Sequence, residues 1–192
     1  MSRIAQITRE TKETKISLSV NMDGGTIQVD TGIGFFDHML SAMAFYAKIG
    51  LEVTACGDLH VDAHHTVEDV GIVFGQALKQ ALGDKVGIRR FASTFIPMDD
   101  ALCQTALDFS NRPYLHFDAV MPQERIGEYE SCLTEEFMRA VAMSSATTLH
   151  MRALYGKNAH HITEALFKSL GVCIQDAAQI IGDCVTSTKG VL

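Results

Sequence analysis

One short motif occurs twice in this sequence, and its spacing constrains the fold more than any other feature. The pattern H-H-x-x-E begins at His64 and again at His160, so the two copies lie 96 residues apart in a chain of 192. Because that spacing is half of the length, it indicates an internal duplication. A chain of this length can bury roughly 70% of its unfolded surface, so each half can contribute to one substantial core.

Hydrophobic patterning predicts the same order of elements, βββαβα, in both halves. In the first half we expect strands at 3–8, 15–21, 26–30 and 51–61 and helices at 35–49 and 64–82, with a hairpin turn at Asp23-Gly24-Gly25. In the second half we expect strands at 93–98, 102–109, 114–120 and 148–154 and helices at 133–147 and 160–180. Residues 83–91, 121–131 and 182–192 are expected to be connections and a tail without regular structure. We therefore interpret 1–192 as a single α+β domain of two pseudo-symmetric halves, about 1–90 and 91–192, with each sheet covered on one face by two helices.

The repeated motif has the spacing of a metal-binding helix. Residues i and i+4 share one face of a helix, so His64 with Glu68 and His160 with Glu164 can each approach one cation. Neighbouring histidines point roughly 100° apart, so the two members of a pair would serve two different metals. His38 and Glu136 hold matching places near the starts of the preceding helices. The eight groups predict two metals with open positions for a substrate; they are His38, His64, His65, Glu68, Glu136, His160, His161 and Glu164.

A structural interpretation of the motif stays open beside this one. A single H-H-x-x-E is more often a polar helix start, with Glu near the positive end of the helix dipole. A duplication could also preserve a hydrogen-bond network that binds no metal. The remaining histidines carry less information: His60 and His150 are expected in strands, and His116 at the surface.

Composition excludes several classes of protein. The formal charge is −7, from 16 Lys and Arg against 23 Asp and Glu, and no basic stripe typical of nucleic-acid or anionic-membrane binding is visible. The five cysteines form no C-x-x-C pair, which is typical of reduced thiols in a cytoplasmic protein. The first residues carry charges where a signal peptide needs an apolar run. The candidate anion-binding residues are Arg89, Arg90 and Arg112 on connections and the run Ser187-Thr188-Lys189-Gly190 in the tail, together with Lys168.

Three longer motifs resemble one enzyme family. They are Phe35-Phe36-Asp37-His38-Met39-Leu40 after Thr31-Gly32-Ile33-Gly34, the segment from Gly57 to Asp69, and the segment from Asn158 to Lys168. Together they resemble imidazoleglycerol-phosphate dehydratase of histidine biosynthesis, over about Arg9 to the last residue. The resemblance implies two βββαβα halves of the ribosomal protein S5 domain 2-like fold, two Mn²⁺ per active site, and a homo-oligomer of 24 subunits with active sites where subunits meet. Ligand softness alone would not select manganese, because imidazole-rich sites also suit Zn, Fe, Ni or Cu.

The resemblance also implies roles for individual residues. The metal ligands would be the eight groups named above, with His65, Glu68, His161 and Glu164 also taking part in catalysis. The substrate would contact Glu13, Arg90, Arg112, Lys168, Ser187, Thr188 and Lys189. Asn111 stands where many members have Gly before the Arg, and no phosphatase domain is fused to the chain.

The implied reaction is the dehydration of D-erythro-imidazole glycerol phosphate to imidazole acetol phosphate. The proton to be removed has no neighbouring carbonyl, so the expected route forms a metal-bound imidazolate that expels the adjacent hydroxyl. Glu13 is the candidate acid/base, although a charge at a strand edge is an equally ordinary role for it. Two alternatives remain at this point: a dinuclear-metal hydrolase of a small phosphorylated substrate, and a metal-binding shell without catalysis.

Overall fold

The two sequence halves fold into the same arrangement of strands and helices. The computed structural model describes residues 3–192, so the first two residues of the predicted first half lie outside the described part. The first half contains β1 (Ile4–Glu10), β2 (Thr14–Asn21), β3 (Ile27–Asp30), α1 (Gly34–Ala47), β4 (Gly50–Gly57) and α2 (His64–Leu82), and β5 (Val86–Ile88) follows. The second half contains β6 (Phe91–Met98), β7 (Ala101–Asp108), β8 (Tyr114–Asp118), β9 (Arg125–Ile126), β10 (Tyr129–Glu130), α3 (Leu133–Ser145), β11 (Thr148–Tyr155), α4 (Ala159–Ala177) and β12 (Ile180–Val185).

The main sheets of the two halves have the same strand order. The first is β1-β2-β4-β3 and the second is β6-β7-β11-β8. In each sheet the last pair is parallel, β3 with β4 and β8 with β11, and the other pairs are antiparallel. The duplicated α+β architecture predicted from the repeat is therefore confirmed.

The predicted hairpin at Asp23-Gly24-Gly25 is wrong. β4 lies between β2 and β3 and pairs with both, so the turn crosses over the beginning of β4. A Cβ on Gly50 would lie 3.1 Å from the Gly24 carbonyl oxygen, which shows how closely the two segments of backbone approach. The two-residue turn signal is local, whereas the choice of strand partner depends on β4, more than twenty residues later.

The expectation of structureless connections is also wrong in two places. Part of the tail, β12 (Ile180–Val185), pairs antiparallel with β5 inside the 83–91 connection. A second small sheet, β9 with β10, lies inside 121–131. The β12 side chains are almost all exposed, so the strand lacks the alternation of buried and exposed positions that marks a half-buried strand in sequence. The predicted strand 51–61 ends at Gly57, and the following residues form a turn, so His60 is in a turn instead of a strand.

Helices of different halves pack on one another between the two main sheets. α2 packs on β1 and β2 and against α3, whereas α4 packs on β6 and β7 and against α1. Four phenylalanines interlock across the junction of the halves: Phe36, Phe74, Phe137 and Phe167. In the described residues, none of these helices is apolar enough over a sufficient length to cross a membrane. The pairing across halves determines which motif residues can meet.

Two glycines make the equivalent close approach in the two helix pairs. A Cβ on Gly75 of α2 would crowd the Val141 carbonyl and the Ser145 amide of α3. A Cβ on Gly171 of α4 would crowd the Met43 carbonyl and the Ala47 amide of α1. The α1 and α3 partners are 98 positions apart, the same separation as His38 and Glu136. Helix packing therefore supports the predicted equivalence of those two residues.

Candidate functional site

Three residues of the predicted ligand set meet where α1 packs on α4. The Nε2 atoms of His38 and His160 lie 3.8 Å and 3.3 Å from Oε2 of Glu164. One ligand atom from each of the three residues falls within 4.8 Å of the others, and within 3–192 this is the one group of three with that property. Two imidazole nitrogens and a carboxylate oxygen are a donor set that suits a first-row divalent cation.

The start of α4 places two of these ligands. Asn158 is the N-cap, and its side chain accepts a hydrogen bond from the backbone N–H of His160 at 2.9 Å. The helix therefore begins beside the histidine pair, and Glu164 follows one turn later on the face of His160. The Phe35 ring lies edge-on to the His160 ring at 4.9 Å between centroids, which packs the start of α1 against the start of α4.

Glu164 is a buried carboxylate held in its charged form. Its side chain is 9% exposed, and Lys168 donates to it at 2.6 Å from one turn further along α4. Burial works to raise the pKa of Glu164, but the Lys168 ammonium and the nearby imidazoles outweigh it and hold that pKa below its ordinary value. Lys168 also lies over the Tyr46 ring at 5.4 Å. The structure thus places this predicted substrate residue beside the candidate metal ligands.

The second histidine of each pair is oriented by a carboxylate. His65 Nδ1 lies 3.0 Å from Asp58, and His161 Nδ1 lies 2.5 Å from Asp100. The hydrogen bond with Asp58 is the main cause that raises the pKa of His65, and the hydrogen bond with His161 is the main cause that lowers the pKa of Asp100. Sequence reasoning missed both aspartates. Asp58 lies in the family-like segment from Gly57 to Asp69, six residues before the first pair, whereas nothing in the sequence links Asp100 to His161, 61 positions away.

The matching set of the first half is not gathered in the same way. Within 3–192, His64, Glu68 and Glu136 form no group of three with ligand atoms as close as those around Glu164. Glu136 lies in the first turn of α3, and His64 and Glu68 lie in the first two turns of α2, the helix packed on it. One chain therefore brings together three of the eight predicted ligands.

Glu13 lies next to a motif histidine. Its Oε1 atom is 3.9 Å from Nε2 of His65, and 54% of its side chain is exposed. The turn that carries it is held by Thr11, whose hydroxyl accepts the backbone N–H groups of Glu13 and Thr14. Thr14 donates to Asp69 of α2 at 2.5 Å, so this turn is fixed to the helix that carries the first motif. An exposed carboxylate on an anchored turn is placed to exchange protons with a ligand at His65.

Several predicted anion-binding residues meet at the other end of α4. Arg90 makes two hydrogen bonds to Asp108, at 2.8 and 3.1 Å, and a third at 2.8 Å to the carbonyl of Thr186, which directly follows β12. Arg112 is 66% exposed and lies 3.9 Å from Asp108. We call this set, Arg90, Asp108, Arg112 and residues 186–189, the cationic corner. Arg90 is largely engaged within the protein, so Arg112 and the tail offer the freer donors.

A buried lysine underlies the cationic corner and was missed in the sequence. Lys85 is 1% exposed and donates at 2.5 Å to the side chain of Asn111. Burial lowers the pKa of Lys85 to about 8, and the positive charges of Lys79 and Arg90 act in the same direction. Asn111 has φ +57°, a left-handed conformation that Gly and Asn tolerate best, which explains why Asn can replace the expected Gly here. Nothing in the sequence distinguishes Lys85 from a solvated lysine.

The cationic corner and the metal ligands are far apart within one chain. The Arg90 backbone N–H bonds to the carbonyl of Ala177 at the end of α4, whereas His160 lies in its first turn. At 1.5 Å per residue, the helix separates these two points by roughly 25 Å. A small substrate cannot span that distance. The remaining weak candidates, His116 and His150, lie on neighbouring strands of the second sheet with ring centroids 5.6 Å apart, and His150 lines the same pocket as Asp108 of the cationic corner.

Comparison with known proteins agrees with this geometry. The family model described as imidazoleglycerol-phosphate dehydratase matches residues 31–174. The imidazoleglycerol-phosphate dehydratase of Acetivibrio thermocellus is 55% identical over 197 residues and covers 100% of both chains. That of Desulfitobacterium hafniense is 53% identical over 99% of this chain and 98% of its own length. A solved structure of such a dehydratase from Staphylococcus aureus superposes with a TM-score of 0.85 and is 36% identical, over 92% of this chain and 99% of its own. Another from Pyrococcus furiosus superposes with a TM-score of 0.86 and is 39% identical, over 97% of this chain and 100% of its own.

Proposed function

The chain belongs to the imidazoleglycerol-phosphate dehydratase family of histidine biosynthesis, a family of hydro-lyases, and from this premise we propose how its own residues carry out the reaction. The observation that carries the proposal is the group His38, His160 and Glu164, together with its separation from the cationic corner. The dehydration converts imidazole glycerol phosphate to imidazole acetol phosphate, so a site must hold both an imidazole ring and a phosphate.

The metal ligands are proposed to be the eight groups that the repeat singles out. His38, His160 and Glu164 would hold one cation, and the equivalent positions Glu136, His64 and Glu68 support a second; His65 and His161 would complete the two sets. Manganese is the proposed metal, with other first-row divalent ions able to use the same nitrogen and oxygen donors. Bound cations would make the imidazole N–H of the substrate more acidic, which opens the route to loss of the neighbouring hydroxyl.

Glu13 is the proposed acid/base. Its carboxylate is exposed, lies 3.9 Å from His65 Nε2, and sits on a turn fixed to α2. From there it can donate a proton to the departing hydroxyl or accept the carbon-bound proton. Because the turn is anchored, Glu13 would meet the substrate with little loss of conformational freedom on binding.

The cationic corner is proposed to bind the phosphate ester. Arg112 and the backbone and hydroxyl donors of Ser187 and Thr188, with Lys189, provide charge and small donors at an exposed surface. Arg90 braces the tail through Thr186 and Asp108 and is proposed to add its positive charge to the phosphate site. Lys168 would act near the metals, since it lies beside Glu164.

The proposed assembly follows from the distance along α4. A phosphate bound at the cationic corner of one chain is roughly 25 Å from His160 of the same chain, so metals and phosphate anchor would come from different subunits. This supports a homo-oligomer, proposed to contain 24 subunits, with active sites where subunits meet. The helix pairs that join the halves support treating 1–192 as a single dehydratase domain. A cytoplasmic location is proposed on the basis of the biosynthetic role.

Neither alternative function is favoured. The family model and the relatives above are all described as dehydratases, and none supports a dinuclear-metal hydrolase. A metal-binding shell would need no anchor for a phosphate, yet the tail is braced by a largely buried arginine, Arg90.

The test follows the keto product when manganese-loaded protein is incubated with imidazole glycerol phosphate. We expect His160→Ala to lower both metal content and rate, because it removes a ligand. Deletion of residues 187–192 should leave metal content unchanged and abolish turnover. His116→Ala, which alters a histidine on a strand of the second sheet, should match the parent in both. Full manganese occupancy of the parent without product would refute the proposal.

A further inference from the structure

We infer that Asp58 and Asp100 are positioning residues that hold His65 and His161 in the tautomer required for metal binding. The inference rests on the proposed function, since it takes His65 and His161 to be ligands. Each aspartate contacts Nδ1 of its histidine, at 3.0 Å and 2.5 Å. An ionised carboxylate can only accept hydrogen bonds, so Nδ1 must carry a hydrogen, and in the neutral ring Nε2 then keeps the lone pair that a metal needs.

The free nitrogens face equivalent places in the two halves. His65 Nε2 lies 3.9 Å from Glu13, in the turn between β1 and β2. His161 Nε2 lies 3.5 Å from Asp99, in the turn between β6 and β7. Both rings therefore direct Nε2, the nitrogen left for a metal, toward the first hairpin of their own half, where Glu13 lies in the first half.

The two carboxylates reach their histidines by different routes. Asp58 stands on the loop that precedes α2, in the same half and seven positions from His65. Asp100 comes from the β6–β7 turn, where its other oxygen accepts the backbone N–H of Lys157 at 2.6 Å just before α4. A carboxylate thus contacts Nδ1 of the second histidine in both halves, although the two aspartates hold unrelated positions. Duplication of the backbone alone would not produce both contacts, which indicates that the function of the histidine requires the carboxylate.

The first histidine of each pair lacks this support. In the part of the chain that the structure describes, no carboxylate lies within ion-pair distance of Nδ1 of His64 or His160. Each motif therefore combines one ring whose Nδ1 contacts a carboxylate with one ring whose Nδ1 does not. Outer carboxylates of this kind raise the basicity of the imidazole and reduce the ordering needed when metal binds.

The experiment compares Asp58→Asn and Asp100→Asn with the parent. An asparagine can turn its amide and donate to Nδ1, which moves the hydrogen to Nε2 and blocks the metal-binding nitrogen. We expect Mn²⁺ affinity, measured by electron paramagnetic resonance of free Mn²⁺, to fall about 10- to 100-fold in each variant. Asp58→Glu and Asp100→Glu should recover part of the loss. Asp118→Asn, which makes the same charge change at an exposed ion pair with Arg152, is the matched control and should bind as the parent does.

Two further measurements separate positioning from a structural role and from failure of the ligand assignment. ¹⁵N NMR of histidine-labelled, metal-free protein should show Nδ1–H rings at His65 and His161 in the parent and Nε2–H rings in the Asn variants. Parental Mn²⁺ affinity in both Asn variants, or an affinity loss without a change of tautomer, would overturn the inference. If the Asn variants and also His65→Ala and His161→Ala keep the parental Mn²⁺ affinity, the ligand assignment fails. If the two Ala variants lose Mn²⁺ affinity and the Asn variants do not, the ligand assignment stands and the positioning inference fails.

Discussion

Replacing Gly75 by alanine should separate α2 from α3 and disturb the first-half ligand set. A Cβ at this position would lie 2.8 Å from the Val141 carbonyl oxygen, 2.8 Å from Ser144 Cβ and 3.0 Å from the Ser145 amide nitrogen. Two of these atoms belong to the backbone of α3 and cannot rotate away. Since ordinary contacts to carbon are about 3.3 Å for oxygen and 3.5–4.0 Å for carbon, the helices must move apart by roughly 0.5–1 Å.

The size of the effect follows from two opposed terms. Overpacking of this kind costs about 1–3 kcal/mol, and the contacts made to the backbone place Gly75→Ala in the upper part of that range. Alanine recovers about 1 kcal/mol of helix propensity. The net loss is therefore about 1–2 kcal/mol, which corresponds to a Tm lowered by about 2–8 °C for a chain of this size. Because ligands must be held within about 0.5 Å, Mn²⁺ affinity should fall as well.

The assay pairs thermal unfolding with Mn²⁺ titration. Gly182→Ala is the matched control, because a Cβ there meets no atom within 4 Å. The control should keep the parental Tm and metal affinity. If Gly75→Ala does the same, the close approach of α2 and α3 does not depend on the missing side chain, and the argument that this packing sets the ligand geometry is wrong.

Three further substitutions test other parts of the structure. Lys85→Met removes a buried ammonium whose pKa is about 8 in the folded protein and 10.5 in the unfolded chain. Burial of that charge lowers the stability of the parent at pH 7, and the parent regains stability as the pH rises from about 8 to 10.5. The stability advantage of Lys85→Met at pH 7 should shrink by about 2 kcal/mol at pH 9.5 in urea unfolding, and parallel pH curves for parent and variant would contradict the burial of that charge. Thr66→Val should raise stability by about 1 kcal/mol with unchanged metal content, because the Thr66 hydroxyl is buried and meets no hydrogen-bond partner among residues 3–192. A loss of stability would show that the hydroxyl is paired. Arg112→Ala should leave Tm within about 1 °C, because the side chain is exposed, while raising KM about 10-fold or more as a charged hydrogen bond to phosphate is lost; an unchanged KM would remove Arg112 from the phosphate site.

The duplicated pattern was sufficient to predict the order of the six main elements of each half. The predicted helix 64–82 coincides with α2 (His64–Leu82), because a long amphipathic segment bounded by Gly83 has strong local signals at every turn. The end of α1 was less predictable. It stops at Ala47 because Lys48 takes a left-handed conformation with φ 56°, which no glycine marks in the sequence.

Local sequence patterns could not predict which strands pair when they are far apart in the chain. The sequence indicated three consecutive strands but not that β4 would enter between β2 and β3, nor that β12 would find β5 some ninety residues earlier. Strand pairing depends on which faces of the sheet are buried and on the helices that connect the strands. A turn dipeptide such as Gly24-Gly25 contains no information on either.

The candidate site divides in the same way. The H-H-x-x-E repeat by itself identified the helices, the residue types and the shared face of His160 and Glu164, since helical periodicity is a local property. Only the tertiary structure placed His38 against the second motif instead of the first, because α1 packs on α4 across the two halves. It alone brought Asp100 to His161 and put a helix of roughly 25 Å between the ligands and the cationic corner. Sequence determines which side chains lie on one face of one helix, whereas packing between helices and sheets determines which faces meet.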